Sequence, residues 1–141
     1  MKIVVEPKSF YVAKSGAVVG EIWLRLESPP LAFPQDGWTD FPVVVLGWWL
    51  HEVEALIQKA SIEARCLFMD GPFEFALNGS GEVRMGERRA EKAIEIGSFP
   101  YRVSVEEFWK SLTVAAGSVI AECHARGWSS GDIDTLRRFV T

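Results

Sequence analysis

From Ala17 to Glu27 the chain alternates, with Val18, Ile22, Leu24 and Leu26 on one side beside Gly20, and Val19, Glu21, Trp23, Arg25 and Glu27 on the other. A period of two sends successive side chains to opposite faces of a strand, so one face is core and the other carries a tryptophan among charges. Two shorter strand candidates precede it: Lys2–Val5, ended by Pro7, and Phe10–Ala13. The turn residues Lys14-Ser15-Gly16 make the second of these one arm of a hairpin. Ser28–Asp40 holds Pro29, Pro30 and Pro34 with Asp36-Gly37, and is expected as a loop. Phe33 and Trp38 lie in it, which a purely solvated linker does not need.

After this loop the period lengthens. Val45, Trp49, Val53, Leu56 and Ala60 recur at helical spacing, widened by Leu46, Leu50 and Ile57, while His51, Glu54 and Gln58 form a polar face. Asp40 is the expected cap and Pro42 suits a first turn, where its missing N–H has no partner to lose, so a helix is predicted over Pro42–Lys59. The period then returns to two. Ile62, Ala64, Cys66 and Phe68 alternate with Glu63, Arg65, Leu67 and Met69, Asp70-Gly71-Pro72 turns the chain, and Phe73, Phe75 and Leu77 alternate with Glu74, Ala76 and Asn78. Asn78-Gly79 is the strongest short hairpin signal in the chain, and Val83 and Met85 continue on the return strand. Glu87–Lys92 is a charged connection, and Ala93–Gly97 is expected as the last strand.

Ser104-Val105-Glu106-Glu107 is a capping box opening a helix over Val105–Arg126, with Phe108, Leu112, Ala115, Val119 and Cys123 as its apolar stripe. Gly127 stands where a left-handed C-cap is expected, with Trp128 closing it. Ser129 is expected to open a short last helix whose Ile133, Leu136 and Val140 face inward, with Arg137 and Arg138 at its carboxyl end. Strands, a helix, strands and further helices predict an α+β fold: an antiparallel β-meander with two main helices packed on one face and a short C-terminal helix. No repeat or compositional break divides the chain, so residues 1–141 are expected as a single domain.

Hydrophobic residues make up 48% and charged residues 24%, which excludes a disordered or low-complexity chain. Nineteen acids against fifteen Lys and Arg leave a net charge of −4, which argues against nucleic acid as a partner and suits a basic one. Arg84, Arg88, Arg89 and Lys92 are interleaved with Glu82, Glu87, Glu91 and Glu95, so the local charge nearly cancels. The longest apolar run, Phe41–Leu50, is too short to span a bilayer, and Met1–Pro7, with three apolar residues before an acid and a proline, is not expected as a secretory segment. Cys66 and Cys123 sit among apolar residues and are expected as reduced, buried thiols in a cytoplasmic protein.

Chemistry is sparse. Gly79-Ser80-Gly81 has strands on both sides, whereas a phosphate cradle needs a helix after the glycines. Cys123 and His124 diverge by about 100° on a helix and cannot pair with each other. A Cys–His nucleophile would need His51 to approach a thiol through the fold. His51-Glu52-Val53-Glu54 lacks the second histidine of a helical zinc site, and Asp132 and Asp134 lack a calcium-loop pattern. No catalytic residue, metal or cofactor is expected. The six tryptophans are the least ordinary feature. Trp49 or Trp48, and Trp128, are expected in the core, leaving Trp23 and Trp38 as interface candidates.

Trp38-Thr39-Asp40-Phe41-Pro42, Trp48-Trp49-Leu50, Phe68-Met69-Asp70-Gly71-Pro72-Phe73 and Gly79–Val83 together resemble small bacterial immunity proteins, the cytoplasmic partners of polymorphic and contact-dependent toxins. The resemblance runs from Trp38 to Phe139 as a layout: a Trp-rich helix, a meander with Asp-Gly and Asn-Gly turns, and a capped C-terminal helix. It implies no enzyme activity. It implies a protein that binds a cognate toxin domain, in many cases a nuclease with a basic cleft, and blocks it. The candidate contacts are acids outside the predicted core with aromatics beside them: Asp36 and Asp40 flanking Trp38, Glu52 and Glu54 on the first helix, Asp70 and Glu74 at the Asp-Gly turn, and Trp23 on its strand. The alternatives are a small enzyme or ligand-binding domain with a pocket between sheet and helices, and a homodimer paired through the Trp23 face.

Overall fold

The computed structural model of the chain describes residues 1–88 and 101–140. The elements run β1 (Lys2–Val12), β2 (Val18–Glu27), β3 (Pro30–Phe33), β4 (Thr39–Asp40), α1 (Pro42–Ile57), β5 (Glu63–Leu67), β6 (Phe73–Asn78), β7 (Glu82–Glu87), β8 (Tyr101–Arg102), α2 (Val105–Ala125) and α3 (Gly131–Arg137). The architecture is α+β, with every strand pair among the described residues antiparallel. The strands divide into two sheets of four, not one continuous meander: β1-β2-β3, with β4 also on β2, and β5-β6-β7-β8. The strand expected over Ala93–Gly97 lies outside the described residues.

β1 joins the two short strands expected from the sequence. Its register on β2 runs from Lys2↔Arg25 to Glu6↔Glu21, then shifts before Tyr11↔Val19. Pro7, which cannot donate to a ladder, sits in this irregularity. Ser9 repairs it: its hydroxyl donates to the Glu6 carbonyl at 2.6 Å and accepts the Glu21 N–H at 2.9 Å. Arg126 donates to the carbonyls of Phe10 and Pro7, tying the irregular stretch to the end of α2.

The segment expected as a loop, Ser28–Asp40, contains β3 and β4. Pro30 is tolerated because β3 is an edge strand, and cis peptide bonds precede Pro29 and Pro34 on either side of it. Phe33 is buried and makes edge-on contacts with Phe68 and Phe73 at 5.8 and 5.9 Å, which accounts for the aromatic residues of this stretch.

α1 packs on β5 and α2, and α2 also covers β1. One hydrophobic cluster takes side chains from both sheets and all three helices. Its centre is a run of edge-on rings, Phe68–Trp49–Phe75–Phe108, with centroids 5.0 to 5.8 Å apart. The helix ends follow local chemistry. Ser104 Oγ accepts the Glu107 N–H at 3.2 Å. Gly127, with φ of +73°, closes α2 while Trp128 N–H reaches back to the Cys123 carbonyl. The cap of α3 is Ser130, one residue later than expected, accepting from Ile133 N–H. No helix among the described residues is long and apolar enough to cross a membrane.

Candidate functional site

Adjacent tryptophans on α1 take opposite roles, because neighbouring helix positions diverge by about 100°. Trp49 is fully buried, and its indole N–H donates to the Leu67 carbonyl at the end of β5 at 2.7 Å. That bond and the ring contacts with Phe68 and Phe75 fix the rotation of α1 against the second sheet. Trp48 is thereby turned outward and is 42% exposed.

Val43, Gly47 and His51 form one i,i+4 row of α1, and Val44, Trp48 and Glu52 form the next. Both rows line a cleft of about 540 Å³, closed on the other sides by Arg65 and Leu67 of β5 and by Asp132, Thr135 and Phe139 around α3. Gly47 widens it: a Cβ placed there would meet nothing within 4 Å.

The polar groups of this cleft are linked to the buried face of β6. Arg65 Nη2 lies 2.7 Å from Glu74 Oε1, and the Glu74 side chain is wholly buried. Its hydrogen bond to Glu74 raises the Arg65 guanidinium further above its ordinary value, overcoming the lowering from burial. The Arg65 backbone N–H donates to Glu52 Oε1 at 3.3 Å. Outward from β5, the second sheet continues the pattern of cross-strand pairs with Arg84–Glu63 at 2.8 Å and Arg102–Glu82 at 3.2 Å.

The expected contact residues fall into separate places. Trp38, Asp40 and Asp70 form one knot. Asp40 is 1% exposed, contrary to its expected place outside the core. Its Oδ1 accepts from Phe41 and Met69 N–H groups, and its Oδ2 from the Trp38 indole and Asp70 N–H groups, at 2.8 to 3.2 Å. The helix cap position belongs to Phe41, so Asp40 ties the start of α1 to the β5–β6 turn instead of capping α1. Trp38 is half-buried, edge-on to Phe73 at 5.2 Å. Asp36 and Asp70 are exposed.

Glu74 is likewise corrected from surface acid to buried partner of Arg65. Trp23 is 7% exposed, against the expectation of a charged open face. β2 is central in its sheet, with β1 on one side and β3 and β4 on the other, so cross-strand neighbours such as Val4 shield the indole. The homodimer alternative built on that face loses its exposed tryptophan. Glu52 lines the cleft, while Glu54, about 200° round the helix, does not.

Trp48, which lines the cleft, is expected from the sequence only as one half of a core pair. Its signal was the pair Trp48-Trp49 itself, since a helix covered on one side can bury only one of two adjacent indoles. The thiols stand apart from the cleft. Both are buried, and burial pushes Cys66 well above the usual thiol range and Cys123 above it. Among the described residues no three of His, Cys, Asp or Glu converge as metal ligands. Comparison of the chain with protein-family models, curated proteins and solved structures finds no match.

Proposed function

We propose that this chain is a protein-binding domain that neutralises its partner, in the manner of an immunity protein bound to a bacterial toxin domain, and that the α1–β5–α3 cleft is its binding surface. The observation that carries the proposal is the outward-turned Trp48 on an apolar cleft rimmed by charged groups. A large indole held at the surface by a rigid buried twin is the kind of anchor that dominates protein interfaces. The net charge of −4 favours a basic partner and faster encounter with it.

The test is affinity capture from the source organism with the wild-type chain and Trp48→Ala, followed by binding of the purified partner and its co-expression. The partner is expected to bind Trp48→Ala at least about 30-fold more weakly, as for an interface hot spot. It is also expected to arrest growth when expressed alone and not together with this chain. A partner that binds Trp48→Ala unchanged removes the cleft from the interface, and a partner without toxicity removes the neutralising role.

A second reading, a small-ligand pocket between sheet and helices, is favoured by the volume of the cleft, which lies within the range of about 300–1,000 Å³ usual for such sites. Recovery of a metabolite with the purified chain, and of no protein partner, supports that reading over the first.

A further inference from the structure

We infer that the cleft is a cation site, taking a guanidinium or ammonium group beside the Trp48 indole and between the Glu52 and Asp132 carboxylates. Where the cation is a partner's arginine or lysine, the inference rests on the protein-binding reading and names the chemistry that reading needs.

Trp48 and Glu52 are four residues apart on α1, so their side chains are neighbours on one face, and both line the cleft. Asp132 approaches from the first turn of α3. Among the described residues neither carboxylate is paired with a cationic side chain. Glu52 accepts only the Arg65 backbone N–H, whereas Asp134, the next acid on α3, is held by Arg137 at 3.5 Å. Among the described residues the one guanidinium lining the cleft is that of Arg65, which is engaged at 2.7 Å by a wholly buried Glu74 and feels Glu52 only at longer range. Its charge is therefore balanced from within, and the cleft keeps two acids in excess.

An anion entering this space would meet both of those carboxylates. A cation meets them together with an aromatic ring, and both kinds of group attract organic cations. The apolar wall of Val44, Leu67 and Phe139 suits the methylene stem of an arginine or lysine, which buries its carbons while its head stays polar. Gly47 leaves the room for that stem.

The probe is Nα-acetylarginine amide, with Nα-acetylcitrulline amide as its neutral isostere. Binding is read from the indole N–H resonances of the nitrogen-15-labelled chain, with that of Trp48 assigned by Trp48→Phe. Saturable movement of the Trp48 resonance is expected with the arginine compound, and binding of the citrulline compound at least about tenfold weaker. Glu52→Gln combined with Asp132→Asn should weaken the arginine compound about tenfold and lower the Tm by no more than a few degrees, since glutamine keeps an acceptor for the Arg65 N–H and Asp132 is exposed on the first turn of α3. Gly47→Leu, which fills the cleft from a helix position with open space, should abolish binding of both compounds. Equal affinity for the two, or an unchanged affinity in the double variant, overturns the cation site.

The same double variant separates the two levels of inference. If an identified protein partner loses affinity with Trp48→Ala but not with the double acid variant, the cation site falls and the binding surface stands. If the arginine compound binds as expected while the partner ignores Trp48→Ala, the cation site stands and its occupant is a small molecule.

Discussion

Replacing Asp40 by asparagine keeps the size of the side chain and changes one of its two oxygens into an amide nitrogen. Both oxygens are in use: Oδ1 accepts from Phe41 and Met69, and Oδ2 from the Trp38 indole and Asp70. Whichever oxygen is replaced, the new N–H₂ group faces two N–H donors, and two hydrogen bonds to a charged acceptor are lost in a site only 1% exposed. At about 1.5–3 kcal/mol for each such bond, the expected loss is about 3–6 kcal/mol. For a chain of this size that corresponds to a fall in Tm of roughly 10–20 °C. The assay is urea unfolding followed by far-ultraviolet circular dichroism, with Asp70→Asn as the control. Asp70 is exposed and contributes its backbone N–H, not its carboxylate, to the knot. The control should therefore stay within about 0.5 kcal/mol of wild type. An Asp40→Asn protein within about 1 kcal/mol of wild type would refute the premise that the four bonds form together and hold α1 to the β5–β6 turn.

Gly81→Ala should destabilise by more than about 2 kcal/mol, because Gly81 has φ of +85° and the new Cβ would overlap the Val103 carbonyl; Gly79→Ala, which meets nothing within 4 Å, should cost less than about 1 kcal/mol on the same denaturation curve. Cys66 should resist thiol reagents in the folded chain and react once it is unfolded. Because its folded thiol is raised above the unfolded value, its contribution is fully present below about pH 8.5 and is lost as pH climbs toward the folded value, by up to about 1.4 kcal/mol per unit. Urea midpoints between pH 7.5 and 9.5 should show that decline, and Cys66→Ala should reduce it, the remainder coming from the buried Cys123 thiol. Ser104→Ala should cost about 1 kcal/mol by removing the acceptor for Glu107 N–H, and an unchanged unfolding midpoint would show the cap contributes nothing.

Much of the fold was legible because local rules acted alone. α1 and α2 begin where Pro42 and Ser104 indicated and end within two residues of the expected limits, since helical periodicity and caps are short-range properties. The β6–β7 hairpin formed where Asn78-Gly79 marked it, but Gly81, not Gly79, takes the positive φ. Asn78 turns its side chain onto the N–H groups of Ser80 and Glu82, which fits a longer loop than a two-residue turn. β3 was hidden by Pro30 and the prolines flanking it, because an edge strand tolerates residues that a composition rule assigns to loops, and β4 by its length of two residues.

The candidate site was less legible, and the reason is the sign of burial at polar residues. Asp40 and Glu74 have the composition of surface acids, and alternation alone places Trp23 on an open face. Whether a carboxylate is solvated or buried depends on partners 29, 30 and 9 residues away in sequence, as Asp40 with Met69 and Asp70 and Glu74 with Arg65 show. The chain by itself determined that α1 would carry two adjacent indoles about 100° apart, so that burying one would expose the other. Only the tertiary structure decided which: the Leu67 carbonyl at the end of β5 binds the Trp49 indole, α1 can satisfy that bond in one rotation, and in that rotation Trp48 stands over the cleft.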